Sequence, residues 1–231
     1  MRIIKTMFIK QAKDMFKNPV SLVQFLIFPA VAFIMTVLVA KDNPDIADSM
    51  FTTMMAGIFA GMAIITTVAG IIAEDTEHKS LRLLIMAGVK PYQYLTGLGG
   101  FILLLGTFAS FAFALIGGFK GVEFSRFFLI MVLATCASII LGASIGILAK
   151  NQQAATAISV PVAVILGFSP MIAAFNEKIE KMTSFMYTLQ LNTIVNDFSG
   201  NFAKAISVIA ANIVVLIILF SVVYRKTGLR G

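Results

Sequence analysis

The sequence is poor in charge and in cysteine, and it contains no tryptophan. Of its 231 residues only 13% are charged, one is a cysteine (Cys136) and one is a histidine (His78). A single cysteine excludes a disulfide framework within the chain. A water-soluble domain carries about 25% charged residues, so the scarcity of charge argues against a soluble enzyme. Without tryptophan, any aromatic belt at a membrane surface has to come from phenylalanine and tyrosine.

Sequence motifs of catalysis and of nucleotide binding are also missing. The chain has no G-x-x-x-x-G-K-[ST] phosphate loop and no His or Cys spacing typical of a metal site. His78 lies in a polar stretch between apolar segments, where we expect a solvated side chain rather than a catalytic base. We therefore expect no enzyme activity, no catalytic residue, no cofactor and no metal in this chain.

What the sequence does contain is apolar residues gathered in long runs. They make up 59% of the chain and give it a mean hydropathy of +0.95. The runs are about 20 residues long, the length at which an α-helix crosses a hydrocarbon layer of about 30 Å. The sequence therefore predicts an all-α membrane protein with a single domain, 1–231. Its six predicted spans are 20–40, 50–73, 92–119, 127–149, 154–174 and 205–224.

The predicted spans hold no Asp, Glu, Lys or Arg in their middle, which disfavours ion-coupled transport because a coupling ion needs a buried charge. Gln24 and Asn212 are the most polar side chains there. Each can either hydrogen-bond a neighbouring helix or contact a substrate in a transport pathway. Two glycine pairs spaced four residues apart predict close helix packing, within the bundle or at a dimer contact. The pairs are Gly57 with Gly61 and Gly142 with Gly146.

Residues 1–17 predict an amphipathic helix that lies on the membrane surface, an elbow before the first span. At about 100° per residue, Phe8 falls on one side of this helix, and Lys10, Lys13 and Lys17 fall on the other. A helix of this composition binds a membrane surface with anionic lipids. The alternative is a disordered basic tail. A secretory signal is not expected because lysines interrupt the apolar residues.

The basic residues also predict an orientation in the membrane. With the N-terminus inside the cell, six spans return the C-terminus to the same side, and 12 of the 18 Lys and Arg residues then lie inside. Positive charge is enriched on the cytoplasmic side of membrane proteins. We therefore expect both termini in the cytoplasm, and we interpret the net charge of +7 as a topology signal rather than as nucleic-acid binding.

The polar stretch between the second and third spans has helical character. Leu81, Leu84 and Ile85 fall on one helical face, acidic residues precede them, and Pro91 follows. The pattern predicts a short helix over 77–87. Such a helix can dock onto another protein; the alternative is a connector whose leucines lie at the lipid boundary.

This stretch resembles the membrane subunit of type-2 ABC exporters, the ABC-2 permeases. The family's usual form is Glu-x-x-x-Gly-Thr-Leu-x-x-Leu, followed by a proline and by Gly-Lys in the next helix. The matching residues here are Glu74 or Glu77, Ser80, Leu81, Leu84, Pro91 and Gly97. The chain departs from this form at Lys79, where the family has glycine, and at Leu98, where lysine is common. The resemblance extends over the whole chain, from the basic first helix to a proline-containing fifth span.

The resemblance implies a division of labour between subunits. Two permease chains, identical or different, form the pathway in the lipid bilayer, and separate cytoplasmic ATPase subunits bind ATP and Mg. The helix over 77–87 is implied to fit a groove on the ATPase, and short re-entrant helices between spans five and six are implied to cap the outer mouth. The residues implied to act in this coupling are Glu74, Glu77, Ser80, Leu81, Arg82, Leu84 and Ile85.

The abundance of phenylalanine (21) and methionine (13), together with the lack of buried charge, favours a hydrophobic or amphipathic substrate. With the resemblance, this indicates export of a peptide, such as an antimicrobial peptide, or of a drug across a bacterial cell membrane. Two other functions stay open. One is a channel or carrier that works without ATP, and the other is a membrane immunity or assembly factor that transports nothing.

Overall fold

The computed structural model describes residues 2–17, 19–43, 46–47 and 49–229. Within these ranges the chain forms ten helices and no strand, when each of two π turns is counted with the helix that contains it. In chain order the helices are α1 (Arg2–Lys17), α2 (Pro19–Met35, continued by a π turn over Thr36–Ala40), α3 (Ser49–Glu77, with a π turn over Phe59–Ala63), α4 (Ser80–Met86), α5 (Pro91–Ile116), α6 (Gly121–Leu148), α7 (Gln152–Ala173), α8 (Glu177–Thr183), α9 (Gln190–Asn196) and α10 (Phe202–Leu229).

Six of the described helices are long and apolar enough to cross a membrane, namely α2, α3, α5, α6, α7 and α10. The predicted all-α fold with six spans is therefore confirmed. In α3 and α6, 72% and 67% of the residues in the most apolar segment are buried, so these helices form the centre of the bundle. In α2 and α10 the share is 17%. Their exposed apolar side chains, such as Leu26 and Val215, are typical of helices that lie against lipid.

Glycine allows the central helices to approach each other closely. A Cβ atom on Gly142 of α6 would lie 2.7 Å from the Ile65 carbonyl oxygen of α3. A Cβ atom on Gly61 of α3 would lie 2.5 Å from the Gly167 amide nitrogen of α7. The other member of each predicted glycine pair also meets the neighbouring helix. Both pairs therefore pack helices within the bundle, which was one of the two predicted alternatives.

The helices α1 and α4 and the C-terminal end of α10 lie at one end of the bundle, the basal side, and α8 and α9 lie at the other end, the distal side. α1 packs along the start of α5, where the rings of Phe8 and Phe101 meet edge to face at 5.5 Å. Met15 of α1 is buried, whereas Lys13 and Lys17 are exposed. The helix predicted for residues 1–17 is thus present and amphipathic, and its contact with a lipid surface stays a prediction.

The boundary between α3 and α4 differs from the prediction. α3 continues to Glu77, so the last turn of a span contains residues that the sequence assigned to the loop, and α4 runs over Ser80–Met86 instead of 77–87. The break falls at Lys79, which has a φ of 60°. This left-handed conformation costs a residue with a Cβ atom roughly 1–2 kcal/mol and interrupts a helix. Glycine adopts it without strain, which fits the glycine that the family's form has at this position.

On the distal side α8 and α9 connect α7 to α10. α8 has no buried residue, whereas Leu191 of α9 is buried. Tyr187, just before α9, is buried and shares a hydrogen bond of 2.8 Å with the Ser138 hydroxyl of α6. Two short helices are thus present where the resemblance implied them, and their immersion in the membrane stays a prediction.

The loop between α9 and α10 is fixed by polar contacts at the distal surface. The Arg126 guanidinium at the start of α6 donates a hydrogen bond of 2.6 Å to the Phe198 carbonyl. The backbone N–H of Gly200 donates to the Asp197 carboxylate at 2.9 Å. This bond, a second backbone N–H and the nearby Arg126 lower the pKa of Asp197 below its usual range. The carboxylate therefore stays charged and holds the loop closed over the end of α6.

Candidate functional site

α4 presents two apolar faces, one to the chain's own core and one to the outside. Leu81 is 1% exposed, and Leu84 is partly buried and packs against the same core. Leu83 and Met86 face outward with 62% and 66% of their surface exposed. In this structure Leu81 packs on the chain's own core, and the apolar surface that α4 leaves exposed is formed by Leu83 and Met86. The contact predicted for Leu81 and Leu84 with a partner stays a prediction.

Glu74 and Glu77, in the last turn of α3, contact the first residue of α7. The Glu77 carboxylate accepts a hydrogen bond of 3.2 Å from the Gln152 backbone N–H, and the Glu74 carboxylate accepts one of 3.1 Å from the Gln152 side-chain amide. The first N–H groups of a helix have no partner within the helix and carry partial positive charge. The two carboxylates therefore link the chain just before α4 to the start of the fifth span.

Asp75 joins three elements in the interior of the basal side. It is 8% exposed, it forms an ion pair of 2.7 Å with Lys10 of α1, and it accepts a hydrogen bond of 3.1 Å from the Tyr94 hydroxyl of α5. A buried carboxylate without a partner is strongly destabilising, so these two contacts are needed to hold it there. Asp75 was not among the predicted site residues. Its burial could be inferred from the sequence, because Asp75 lies on the same helical face as the buried residues Val68 and Ile72 of α3.

The chain after α4 is held by α10. The Tyr224 hydroxyl donates a hydrogen bond of 3.1 Å to the Val89 carbonyl, and its ring lies 6.4 Å from that of Tyr94. The segment that contains α4 is therefore attached to α10 and is continuous in sequence with α3 and α5, while the last turn of α3, just before it, contacts α7.

A cavity of about 470 Å³ opens between α1 and the end of α3 on the basal side. Side chains of both charge signs line it, among them Lys10, Lys17, His78, Asp14, Glu74 and Asp75. Gln11 also lines it, is 4% exposed, and makes no hydrogen bond to the described residues. The mixed charge and the unpartnered amide suit water or a polar group of another molecule.

The two polar residues predicted inside the spans are both bonded within the chain. Gln24 of α2 accepts a hydrogen bond of 2.5 Å from the Thr67 hydroxyl of α3. The Asn212 side-chain amide of α10 donates to the carbonyls of Phe185, at 2.8 Å, and Val208, at 2.9 Å. Both contacts match the alternative in which these residues bind neighbouring parts of the bundle. A substrate contact by either residue stays a prediction.

The other predicted site residues surround this arrangement. Lys13 and Lys17 are exposed on α1, and Ser80 is partly buried and lines the basal cavity. The side chains of Arg82 and Ile85 lie outside the described part of the structure. The role of every one of these residues in contacting a partner stays a prediction.

Comparisons with known proteins bear on the whole of this arrangement. A family model described as ABC-2 family transporter protein matches residues 4–224. The match runs from α1 into α10 and so includes every element of the basal side. No curated protein matches the chain.

Proposed function

Because the chain belongs to the ABC-2 family of transporters, as a multi-pass membrane protein with six apolar helices, we propose that it is the permease subunit of an ATP-driven exporter and that a separate ATPase drives it through α4. The observation that carries this proposal is the construction of α4. It is a short helix at the end of the bundle with an exposed apolar face, and the chain on either side of it contacts α7 and α10.

The docking contact is made by the outward face of α4. Leu83 and Met86 together present a small apolar surface on a side where most neighbouring side chains are polar. Such a pair suits a groove on the ATPase, because buried apolar anchors supply most of the affinity of an interface. Leu81 has a complementary role, since it packs α4 onto the bundle, so that a force on the outward face reaches the spans.

Movement passes from α4 to the bundle along the contacts described above. A shift of α4 pulls on the start of α7 through the contact of Glu77 with Gln152, and on α10 through the contact of Val89 with Tyr224. Asp75 anchors the same region to α1 and α5. The ATPase subunit binds and hydrolyses ATP. The conformational change of the ATPase then alters the packing of the spans in this chain.

The substrate is a hydrophobic or amphipathic molecule, such as a peptide or a drug, that moves between two permease chains. This assignment is supported by the predominance of apolar side chains in the spans and by the weakly buried α2 and α10, whose outward faces are free to meet lipid or a second chain. Identical and different second chains are both compatible with these surfaces.

The proposal places the basal side in the cytoplasm of a bacterial cell, where the ATPase is. In a Cys136→Ser background, single cysteines at Lys150 (basal, between α6 and α7) and Lys178 (distal, on α8) report the orientation. A membrane-impermeant maleimide should label K178C in intact cells and K150C only after permeabilisation. The reverse pattern would contradict the assignment of the cytoplasmic side.

Co-purification of the ATPase tests the docking contact. The variant L83D/M86D should recover about tenfold less ATPase than the wild type, because it places charge on an apolar contact. Its matched control is L83M/M86L, which keeps the apolar surface and should recover a normal amount. Equal recovery with both variants would end the proposal, and so would vectorial flux in vesicles that contain this chain without any ATPase.

A further inference from the structure

A second cavity of about 470 Å³ lies on the distal side, between the start of α3, the end of α7, and helices α8 and α9. Met50, Met54, Leu189 and Val195 supply apolar walls. Among the described residues that line it, the polar ones are Ser49, Thr53, Glu180, Asn192 and Asn196. The cavity therefore combines an apolar surface with a small number of polar groups, as a binding site for an amphipathic molecule requires.

The polar atoms that this lining leaves free are hydrogen-bond acceptors. The Asn192 side-chain amide donates to the Pro170 carbonyl at 2.5 Å, which fixes the orientation of the amide. Its oxygen Oδ1 has no donor among the described residues, but it is fully buried and does not face the cavity. The Thr53 hydroxyl uses its proton in a bond of 2.7 Å to the Ser49 carbonyl, so its lone pairs are free. The Thr53 oxygen can therefore accept a hydrogen bond from a ligand with N–H groups.

The charge of the lining has one sign. Glu180 is the only titratable side chain among the described residues that line the cavity, and it takes part in no ion pair within the described part of the chain. Lys178 and Lys181 lie on the same short helix but do not line the cavity. The cavity therefore attracts a cation and repels an anion.

We propose that the distal cavity binds the ammonium group of a transported molecule that carries a primary amine on an apolar body. An ammonium group has three donors and no acceptor, which matches the Glu180 carboxylate and Thr53 Oγ1. The methionine, leucine and valine side chains hold the apolar body. This inference rests on the proposed function, because it assigns a substrate class to that exporter. It selects cationic amphiphiles from the wider group of hydrophobic molecules.

Binding to the purified full chain in lipid nanodiscs, without any ATPase, tests the inference. The probe is dansylcadaverine, a fluorescent primary amine, and its comparison is the N-acetylated form, which keeps the body and loses the charge. The amine should bind about tenfold more tightly, since charged hydrogen bonds are worth roughly 1.5 kcal/mol or more. Equal binding of the two forms would overturn the proposal.

Two variants on α8 localise the effect. Glu180→Gln should weaken amine binding about three- to tenfold and leave the acetylated form unchanged. Glu177→Gln, its matched control, removes a carboxylate from the same helix at a position that does not line the cavity, and should bind as the wild type does. Equal losses in both variants would contradict the cavity and indicate general surface charge. Thr53→Val should weaken amine binding as well, with thermal stability as the check on folding.

Competitors identify the source of the amine and separate this inference from the proposed function. Displacement of the probe by a Leu/Lys peptide, but not by the same peptide with acetylated lysines, supports a peptide amine, whereas displacement by dodecylamine alone supports a drug-like or lipid-like amine. Displacement by millimolar Na⁺ or Ca²⁺ would show a metal-ion site and overturn the proposal. If the chain binds the amine but docking and transport assays show that no ATPase drives it, the proposed function is refuted and this inference stands. Loss of ATPase docking leaves this binding assay intact.

Discussion

Lys10 of α1 and Asp75 of α3 form an ion pair of 2.7 Å, although they are 65 positions apart in the sequence. Because Lys10 is half exposed while Asp75 is almost buried, the pair brings the charge of a surface helix to a carboxylate inside the bundle. It holds α1 against the basal end of α3. The basic face of α1 thus has a structural partner within the chain as well as the lipid surface that its composition predicts.

Removal of the Asp75 charge should loosen the basal side. In Asp75→Asn, Lys10 and Tyr94 lose a charged acceptor, and we expect a loss of about 2 kcal/mol, or about 5 °C in Tm. The measurement is thermal unfolding of the detergent-solubilised chain. Asp14→Asn, which removes an exposed carboxylate from α1, should change Tm by less than about 1 °C. Equal effects would show that the ion pair contributes nothing specific.

Loss of the link between α3 and α7 should impair transport without impairing docking. In the double variant E74A/E77A, Gln152 loses both acceptors, and export should fall about three- to tenfold because hydrogen bonds between solvent-exposed groups such as these are worth roughly 1 kcal/mol. Recovery of the ATPase should stay normal, since the outward face of α4 is unchanged. Glu123→Ala, at the start of α6 on the distal side, is the control. A parallel loss of docking would contradict the separate role given to this link.

The Tyr224 hydroxyl should protect the segment around α4 from proteolysis. Tyr224→Phe removes one hydrogen bond worth about 1 kcal/mol, so trypsin cleavage after Lys79 and Arg82 should become about fivefold faster. The readout is the rate of appearance of the two fragments in mass spectrometry. Tyr92→Phe removes an exposed hydroxyl and should cleave at the wild-type rate. An unchanged rate in both variants would remove Tyr224 from the attachment of this segment.

Two glycines of α3 should respond in opposite directions to the same substitution. A Cβ atom at Gly61 would lie 2.5 Å from the backbone of Gly167, whereas one at Gly70 would meet nothing within 4 Å. Gly61→Ala should therefore destabilise the chain by roughly 1–3 kcal/mol, and Gly70→Ala should be neutral or stabilise it by up to about 1 kcal/mol. Thermal unfolding of both variants decides the question, and a tolerated Gly61→Ala would refute the close approach of α3 and α7.

Replacement of Lys79 by glycine should stabilise the chain. Lys79 has a φ of 60°, and relief of this conformation should contribute about 0.5–1 kcal/mol after the greater flexibility of glycine is subtracted. Lys90 has a φ of −77°, so Lys90→Gly lacks this gain and should be neutral or slightly destabilising. Equal Tm changes in K79G and K90G would show that the left-handed conformation carries no cost.

The six spans could be predicted from the sequence because the thickness of a bilayer fixes the length of an apolar helix. The existence of α4 could also be predicted, from the spacing of Leu81 and Leu84 and from the proline that follows. The sequence could not show whether the apolar face of Leu81 and Leu84 is covered by the chain itself or by another protein. A helical period shows that residues share a face, and only the tertiary fold shows that Leu81 packs on the chain itself while Leu83 and Met86 remain exposed.

The partners of the polar residues were beyond local sequence patterns for a similar reason. Asp75 stands in line with Val68 and Ile72, so its burial had a signal in the sequence. Its contact with Lys10 depends on how α1 folds back onto the bundle. The contact of Glu77 with Gln152 likewise joins residues that are 75 positions apart. Such contacts depend on which helices pack against each other, and the periodicity of a single helix does not show this.

The π turn at Phe59–Ala63 has a consequence for how α3 tolerates changes in length. The Ile64 amide bonds back to the Phe59 carbonyl, so this turn contains one residue more than an α-helical turn needs. Deletion of one residue here other than Gly61 would convert it to an ordinary turn, and the contacts of Gly57 with α7 and of Ile65–Ile72 with the glycines of α6 would keep their register. Deletion of one residue elsewhere in α3 would rotate one of these contact surfaces by about 100° away from its neighbour. Near its crossing with α7, α3 therefore contains one extra residue, and the helix should tolerate a deletion there better than elsewhere.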